Sequence, residues 1–263
     1  MTATHDTPPT LTPRRPGLVE ATWTIMLREL RPVLHDPFSV TFNLVQPLTF
    51  LLLFGPLLAG TVGVPLAESL TWFVPGVLGM IVLFGVGMTG SNLQFEIHAG
   101  SHERTLVTPV PRSALLVGRA LKEFAPVLAQ SAVLLVVAVL LGYRADVVGT
   151  LLGLVLLGLF AVGLASLSYA LGVATASTEW MFWAIQQTMI FPLLLLSGML
   201  LPLEDGPRWM QGAAAVNPLT HLIDAERALA AGDLLSRDVA TGVVATVLTL
   251  VVGLGIGLRA MRA

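Results

Sequence analysis

The sequence predicts an all-α integral membrane protein with six transmembrane helices. Three observations lead there. Of 263 residues, 55% are hydrophobic and only 11% are charged, where a soluble domain carries about 25% charged residues. The mean hydropathy is +0.83. Six stretches of about 20 residues are almost wholly apolar, which is the length that crosses a hydrocarbon core as a helix. Backbone groups in lipid must pair internally, so only helices and closed barrels qualify. Runs such as Leu151–Phe160 lack the period-two alternation of a barrel strand.

The elements follow in order. Met1–Pro16 is rich in Thr and Pro and holds two arginines. A disordered cytoplasmic tail is expected there rather than a signal peptide. Residues 17–263 are then one membrane domain. Gly17–Asp36 places Val19, Trp23, Met26, Leu27, Leu30 and Leu34 at helical spacing, with Glu20, Arg28, Glu29 and Arg31 on the remainder. That predicts an N-terminal interfacial amphipathic helix, serving as a plain anchor or as a surface for a soluble partner. Pro32 should sharpen or end it, and Pro37 separates it from the first span.

The six spans are expected over Phe38–Ala59, Thr71–Phe95, Phe124–Gly142, Val147–Ala174, Met181–Leu201 and Val239–Leu258. Only Tyr143–Asp146 separates the third from the fourth, which predicts a tight antiparallel pair. Pro47, Pro75 and Pro192 should kink their spans, Pro192 near the middle of the fifth. Between the second and third spans, Glu96–Glu123 mixes charge, Pro109, Pro111 and a short apolar helix, Arg112–Leu121, closed by Glu123. Such a helix is either a docking element for a cytosolic partner or a plain surface feature.

Loop cations set the orientation. With six spans, both termini share one side. That side holds Arg14, Arg15, Arg28, Arg31, Arg104, Arg112, Arg119, Lys122, Arg259 and Arg262, which is ten, against four on the other: Arg144, Arg208, Arg227 and Arg237. Both termini are therefore expected in the cytoplasm.

Several function classes fall away. Fourteen cations against sixteen anions leave no positive surplus for nucleic acid. The absence of cysteine removes disulfides, thiol catalysis and cysteine-bound metal. The one lysine, Lys122, sits between Leu121 and Glu123, so the chain has no P-loop. G-x-S-x-G and H-E-x-x-H are absent too, and no catalytic residue is assigned. His98 and His102, beside Glu96 and Glu103, make only a weak metal pattern, because Gly100 between them disfavours a helix. No metal or cofactor is expected on this chain. The spans contain no Asp, Glu, Lys, Arg or His, which argues against an ion-driven carrier.

The polar groups inside the spans are neutral. They include Asn43, Gln46, Asn92, Gln130, Ser131, Ser166, Ser168, Gln186 and Gln187. One reading is interhelical hydrogen bonding, under ~1 kcal/mol per pair. The other is that Asn43, Gln46, Asn92, Gln186 and Gln187 line a substrate route. Gly149/Gly153 and Gly253/Gly257 form GxxxG pairs, for close packing within one subunit or for a dimer contact.

The stretch GSHERTLVTPVPRSALLVGRALKE resembles the first cytoplasmic loop of type 2 ABC exporter permeases. Gly100, Glu103, Leu106, Thr108, Pro109, Arg112, Gly118, Arg119 and Leu121 carry the likeness, and Ser101 stands where the family commonly has Thr. Phe191–Pro207 is similar to the family's kinked fifth span, and Asn217–Leu229 to its external segment before the sixth. The daunorubicin-resistance type of drug and lipid exporters is the most similar subgroup.

The resemblance implies a division of labour. Separate ATP-binding cassette subunits would bind ATP and magnesium. Arg28 on the interfacial helix, and Glu103, Arg104, Thr108, Pro109, Arg112 and Arg119 on the loop, would couple to them, the loop helix acting as a cytoplasmic coupling helix. The external stretch would dip back as re-entrant helices before the last span. Asn217, Pro218 and Pro202 would form an external gate, with Glu204, Asp205, Asp224 and Glu226 lining the outside. Two copies, or this chain and a sister permease, would face each other through their first, second and fifth spans in a bacterial cytoplasmic membrane. A neutral route suits a hydrophobic or amphipathic compound such as a drug, natural product or lipid. Export of a polysaccharide or lipid-linked glycan is the alternative, and a non-transporting scaffold or immunity partner is the alternative class.

Overall fold

The computed structural model describes residues 17–101, 110–200, 202–203 and 206–261. These residues form eleven helices. They are α1 (Leu18–His35), α2 (Pro37–Val62), α3 (Leu66–Gly87), α4 (Thr89–His98), α5 (Arg112–Lys122) and α6 (Phe124–Leu140). After them come α7 (Val147–Ala174), α8 (Glu179–Leu195), α9 (Arg208–Val216), α10 (Pro218–Ala230) and α11 (Arg237–Ala260). Among the described residues there is no strand.

Five helical stretches are long and apolar enough to cross a membrane: Phe42–Val62, Leu66–His98, Arg112–Leu140, Val147–Ala174 and Arg237–Ala260. The fifth expected span differs. Its helix, α8, has 17 residues, about 25 Å of rise, against a hydrocarbon core of about 30 Å. Pro192 lies in the last turn of α8 rather than mid-span, and the chain turns at Leu196–Gly198, where Gly198 takes a positive φ of 69°.

α1 runs through Pro32 to His35. Its apolar side is split. Val19, Trp23 and Leu34 stay exposed, while Ala21 and Ile25 are buried. The buried side meets α5 at Gly118, where a Cβ would collide with Ile25 and the Thr22 carbonyl.

α3 is the centre of the bundle, with every residue from Phe73 to Leu83 buried. Within this chain the middle of the expected second span is therefore enclosed, while its far end is open at Asn92 and Phe95. α2 and α8 remain open: Phe42, Leu53, Trp180 and Phe191 are exposed.

The second span is broken at Met88 into α3 and α4. Backbone groups freed inside a bilayer need partners, and Ser168 of α7 supplies them. Its Oγ accepts from the Gly90 amide at 2.9 Å and donates to the Gly87 carbonyl. Gln94 continues the seam, donating to Thr175 Oγ1 at 2.8 Å.

Both GxxxG pairs are used within the chain. Gly149 and Gly153 of α7 seat Leu229 and Glu226 of α10. Gly253 and Gly257 of α11 press on Gly163 and Ser166 of α7. Any Cβ at these four sites would overlap its neighbour, so the glycines set the helix spacing of one subunit.

Candidate functional site

Two cavities adjoin at the end of the bundle where α1 and α5 lie. One, of about 320 Å³, is bounded by Asn43, Thr89, Asn92, Lys122, Glu123 and Gln130. The other, of about 340 Å³, is bounded by Phe42, Asn43, Gln46, Pro47, Met80 and Gln130. They share Asn43, Gly85 and Gln130 and so form one groove between α2, α3, α4 and α6. Amide side chains line it with apolar walls between, which is a surface for a molecule of mixed polarity.

Three of the five expected route residues, Asn43, Gln46 and Asn92, meet in this groove. Gln130 joins them, having been read only as a packing residue. Gln186 and Gln187 do not. Gln186 is buried on α8 against Gly87, with neither amide atom hydrogen-bonded among the described residues. Gln187 points outward from the same helix.

Charges gather around α5, whose end supplies Lys122 to the groove wall beside Glu123. Arg119 of α5 has 2% of its side chain exposed. It pairs with Glu96 of α4 and approaches Glu29 of α1 at 3.6 Å. Glu29 also pairs with Arg28 at 2.7 Å. Glu123, at the α5–α6 junction, is buried with Lys122 Nζ 3.5 Å away and accepts from the Tyr169 hydroxyl at 3.4 Å. One run of charge thus binds α1, α4 and α5, and a second binds α6 to α7.

Among the expected coupling residues, Arg119 lies inside this cluster rather than on an exposed face. The apolar stripe Leu115, Leu116 and Ala120 carries it inward. Arg112 is exposed at the start of α5 and donates to the Met261 carbonyl at 3.3 Å, tying α5 to the end of α11. Arg28 is half exposed. Glu103, Arg104, Thr108 and Pro109 lie outside the described residues, as does His102. His98 bridges α4 to the start of α8, through the Ala176 carbonyl at 2.9 Å and Glu179 at 3.1 Å.

At the opposite end, Asn217 caps α10. Its Oδ1 accepts from the Leu219 amide at 3.0 Å, and its Nδ2 donates to the Leu193 carbonyl at 2.8 Å. Thr220 donates to the Leu196 carbonyl at 2.9 Å. Asn217 and Pro218 therefore hang α10 on the frayed end of α8, while Pro202 is exposed in the connection. Arg227 locks the same junction. It donates to the Gly198 carbonyl at 2.8 Å and stacks 3.4 Å over the Trp72 ring.

Glu226, expected on the outside, is instead buried against Gly153. Its Oε1 has no hydrogen-bond partner among the described residues. Burial pushes its carboxyl up to about 8. Tyr143 nearby is pushed up to about 12, by burial first and then by Glu226. Asp224, less buried, is raised by burial too. Glu204 and Asp205 lie outside the described residues.

This architecture defines a multi-pass, all-helical membrane protein with a polar groove at one end and a capped helical cover at the other. The chain belongs to the ABC-2 type transporter family, whose model matches residues 20–230. It is 32% identical over 225 residues to the daunorubicin resistance ABC transporter permease protein DrrB1 of Streptomyces coeruleorubidus, covering 84% of this chain and 78% of that one. It is 28% identical over 159 residues to the probable multidrug ABC transporter permease YbhR of Escherichia coli K12, covering 58% of this chain and 42% of that one. It is 29% identical over 203 residues to the putative transport permease ycf38 of Cyanophora paradoxa, covering 73% and 68% respectively.

Proposed function

We propose that this chain is the transmembrane permease subunit of an ATP-driven exporter of hydrophobic or amphipathic compounds. The observation that carries the reading is the groove of Asn43, Gln46, Asn92 and Gln130, whose wall includes Lys122 and Glu123 at the end of the helix that carries the buried Arg119. Amides can hold a polar head while Phe42, Met80 and Pro47 hold an apolar body. The groove lies at the α1–α5 end, which is the cytoplasmic end in the orientation drawn from the loop cations. The substrate therefore enters from the cytoplasm or the inner leaflet.

ATP and magnesium belong to ATP-binding cassette partner subunits, and this chain binds neither. The partner presses on α5 and on the loop before it, where Glu103, Arg104, Thr108 and Pro109 lie. Arg119 makes α5 move together with α1 and α4, because separating a buried guanidinium from its carboxylates is costly. The Glu123–Tyr169 contact carries the displacement into α7. In this reading α8 completes a sixth span, both termini are cytoplasmic in a bacterial cytoplasmic membrane, and α9 and α10 are re-entrant helices closing the outer end. A second copy or a sister permease meets the open faces of α2 and α8.

The test is co-reconstitution with the cognate ATPase in proteoliposomes. Asn43→Leu with Gln130→Leu should abolish transport of an amphiphile while the chain still assembles. Glu103→Arg should leave membrane insertion intact and uncouple ATP hydrolysis from transport. Normal transport by both variants would reject the reading.

A further inference from the structure

A further cavity, larger than either part of the polar groove, is bounded by described residues. It lies at the other end of the bundle, between α7, α10 and α11, with a volume of about 680 Å³. Ligand cavities commonly hold ~300–1,000 Å³. Its walls are apolar, with Phe160 and Leu164 on α7, Leu219 on α10, and Val244 and Leu248 on α11. Val244 and Leu248 are also largely exposed, as are their neighbours Val247 and Val251. The recess therefore opens sideways, onto the surface that faces lipid. An apolar recess offers water no hydrogen-bond partners, so hydrocarbon fills it.

The rim supplies the polar end. His221 commits Nε2 to the Ala215 carbonyl at 2.9 Å. Arg237, in the first turn of α11, is exposed and has no ion pair or hydrogen bond among the described residues. The next residue, Asp238, acts on Asp224 of α10. Trp209, Val216 and Leu235 are exposed around this end, as side chains are at an interface between lipid and water. Arg237 thus stands at headgroup depth. From Arg237 to Val252, the cavity follows one face of α11 for about 22 Å. That is half of the ~40–45 Å of a whole bilayer, or one leaflet with its headgroups.

We infer that this recess is a binding site for an anionic phospholipid of the leaflet at the α9–α10 end, its phosphate at Arg237 and an acyl chain along the α7–α11 seam. The match of charge at the rim, apolar walls and one-leaflet length selects that occupant. A lipid seated there packs on α10 and α11 together and adds to the hold on the helix that carries Asn217 and Glu226. The inference needs only that the chain lies in a bilayer, so it stands or falls apart from what is exported.

The experiment is native mass spectrometry of the delipidated full-length chain in detergent, titrated with phosphatidylglycerol or phosphatidylcholine. The wild type should retain phosphatidylglycerol about fivefold more tightly, the effect of about one basic residue at an anionic headgroup. Arg237→Gln should erase the preference, weakening phosphatidylglycerol more than phosphatidylcholine. Val244→Trp, a larger side chain at a lipid-exposed wall, should weaken both lipids. No preference in the wild type, or one that survives Arg237→Gln, overturns the proposal. The chain has no cysteine, so Val244→Cys gives a single thiol. Its ready cross-linking to a second copy in membranes would show that another subunit covers the recess, and would also overturn the proposal.

Discussion

The guanidinium of Arg119 on α5 is closed onto the carboxylate of Glu96 on α4, and almost none of Arg119 meets solvent. Glu29 of α1 stands on its other side. Removing a charge from such a cluster leaves its partners uncompensated. Glu96 keeps about a third of its side chain exposed, so water can recover part of the loss. Arg119→Ala is expected to lower stability by about 3 kcal/mol, measured by thermal unfolding in detergent. Arg119→Lys should recover part of that, because one ammonium cannot serve two carboxylates as a planar fork does.

The glycines of α11 separate into two kinds. Gly253 lies against the Gly163 backbone, whereas a Cβ at Gly255 would meet nothing within 4 Å. Gly253→Ala should therefore push α11 from α7 and cost about 1–3 kcal/mol. Gly255→Ala should be neutral or stabilising by up to about 1 kcal/mol through helix propensity. Paired melting curves decide it, and equal effects would contradict the helix contact.

Glu226 makes stability depend on pH. Its carboxyl rises from the ordinary 4.5 to about 8 in the folded chain. Between those values the folded state keeps the proton that the unfolded state releases. The stabilisation is complete below pH 4.5 and is lost as the pH climbs through 8. Glu226→Gln should flatten most of this slope, with Asp224 supplying a smaller remainder of the same sign. Melting temperatures across that window are the readout, and an unchanged slope in Glu226→Gln would show the carboxyl to be solvated.

Asn217 makes two contacts at once, the α10 cap and the link to Leu193. Asn217→Ala should cost about 1–2 kcal/mol, the usual loss for a missing cap. The damage should be local. Hydrogen exchange should quicken in α10 and at the end of α8, while α3 stays protected.

Hydropathy and capping made much of the fold legible. α7 begins and ends where its apolar run does, because Asp146 caps it and its side chain accepts from the Gly149 amide. The Asn217–Pro218 break was readable for the same local reason, an Asn before a proline that can open a helix but not continue one. Burial of charge was harder, since it depends on partners distant in sequence. Even so, Glu226 falls in the stripe Leu219, Leu222, Ile223 and Leu229, and Arg119 falls beside Leu115 and Leu116. A charge inside an apolar helical stripe was the available signal. The break at Met88 left no such mark, because Ser168, which satisfies it, lies about eighty residues away. Of the route, Asn43 and Gln46 share a face of α2, so their pairing was readable. Whether Gln186 joined them depended on which side of α3 its helix packs, and that is set by Gly87 and Ile190.

The most direct test of the central claim is ATP-dependent movement of a fluorescent amphiphile across proteoliposomes holding this chain and the proposed partner ATPase. A fluorescent cationic amphiphile and a labelled phospholipid are suitable probes. The account predicts transport that requires both subunits, falls with Asn43→Leu plus Gln130→Leu, and is accompanied by substrate-stimulated ATP hydrolysis. An assembled, ATP-hydrolysing complex that moves both probes equally well with and without the two groove amides would contradict it.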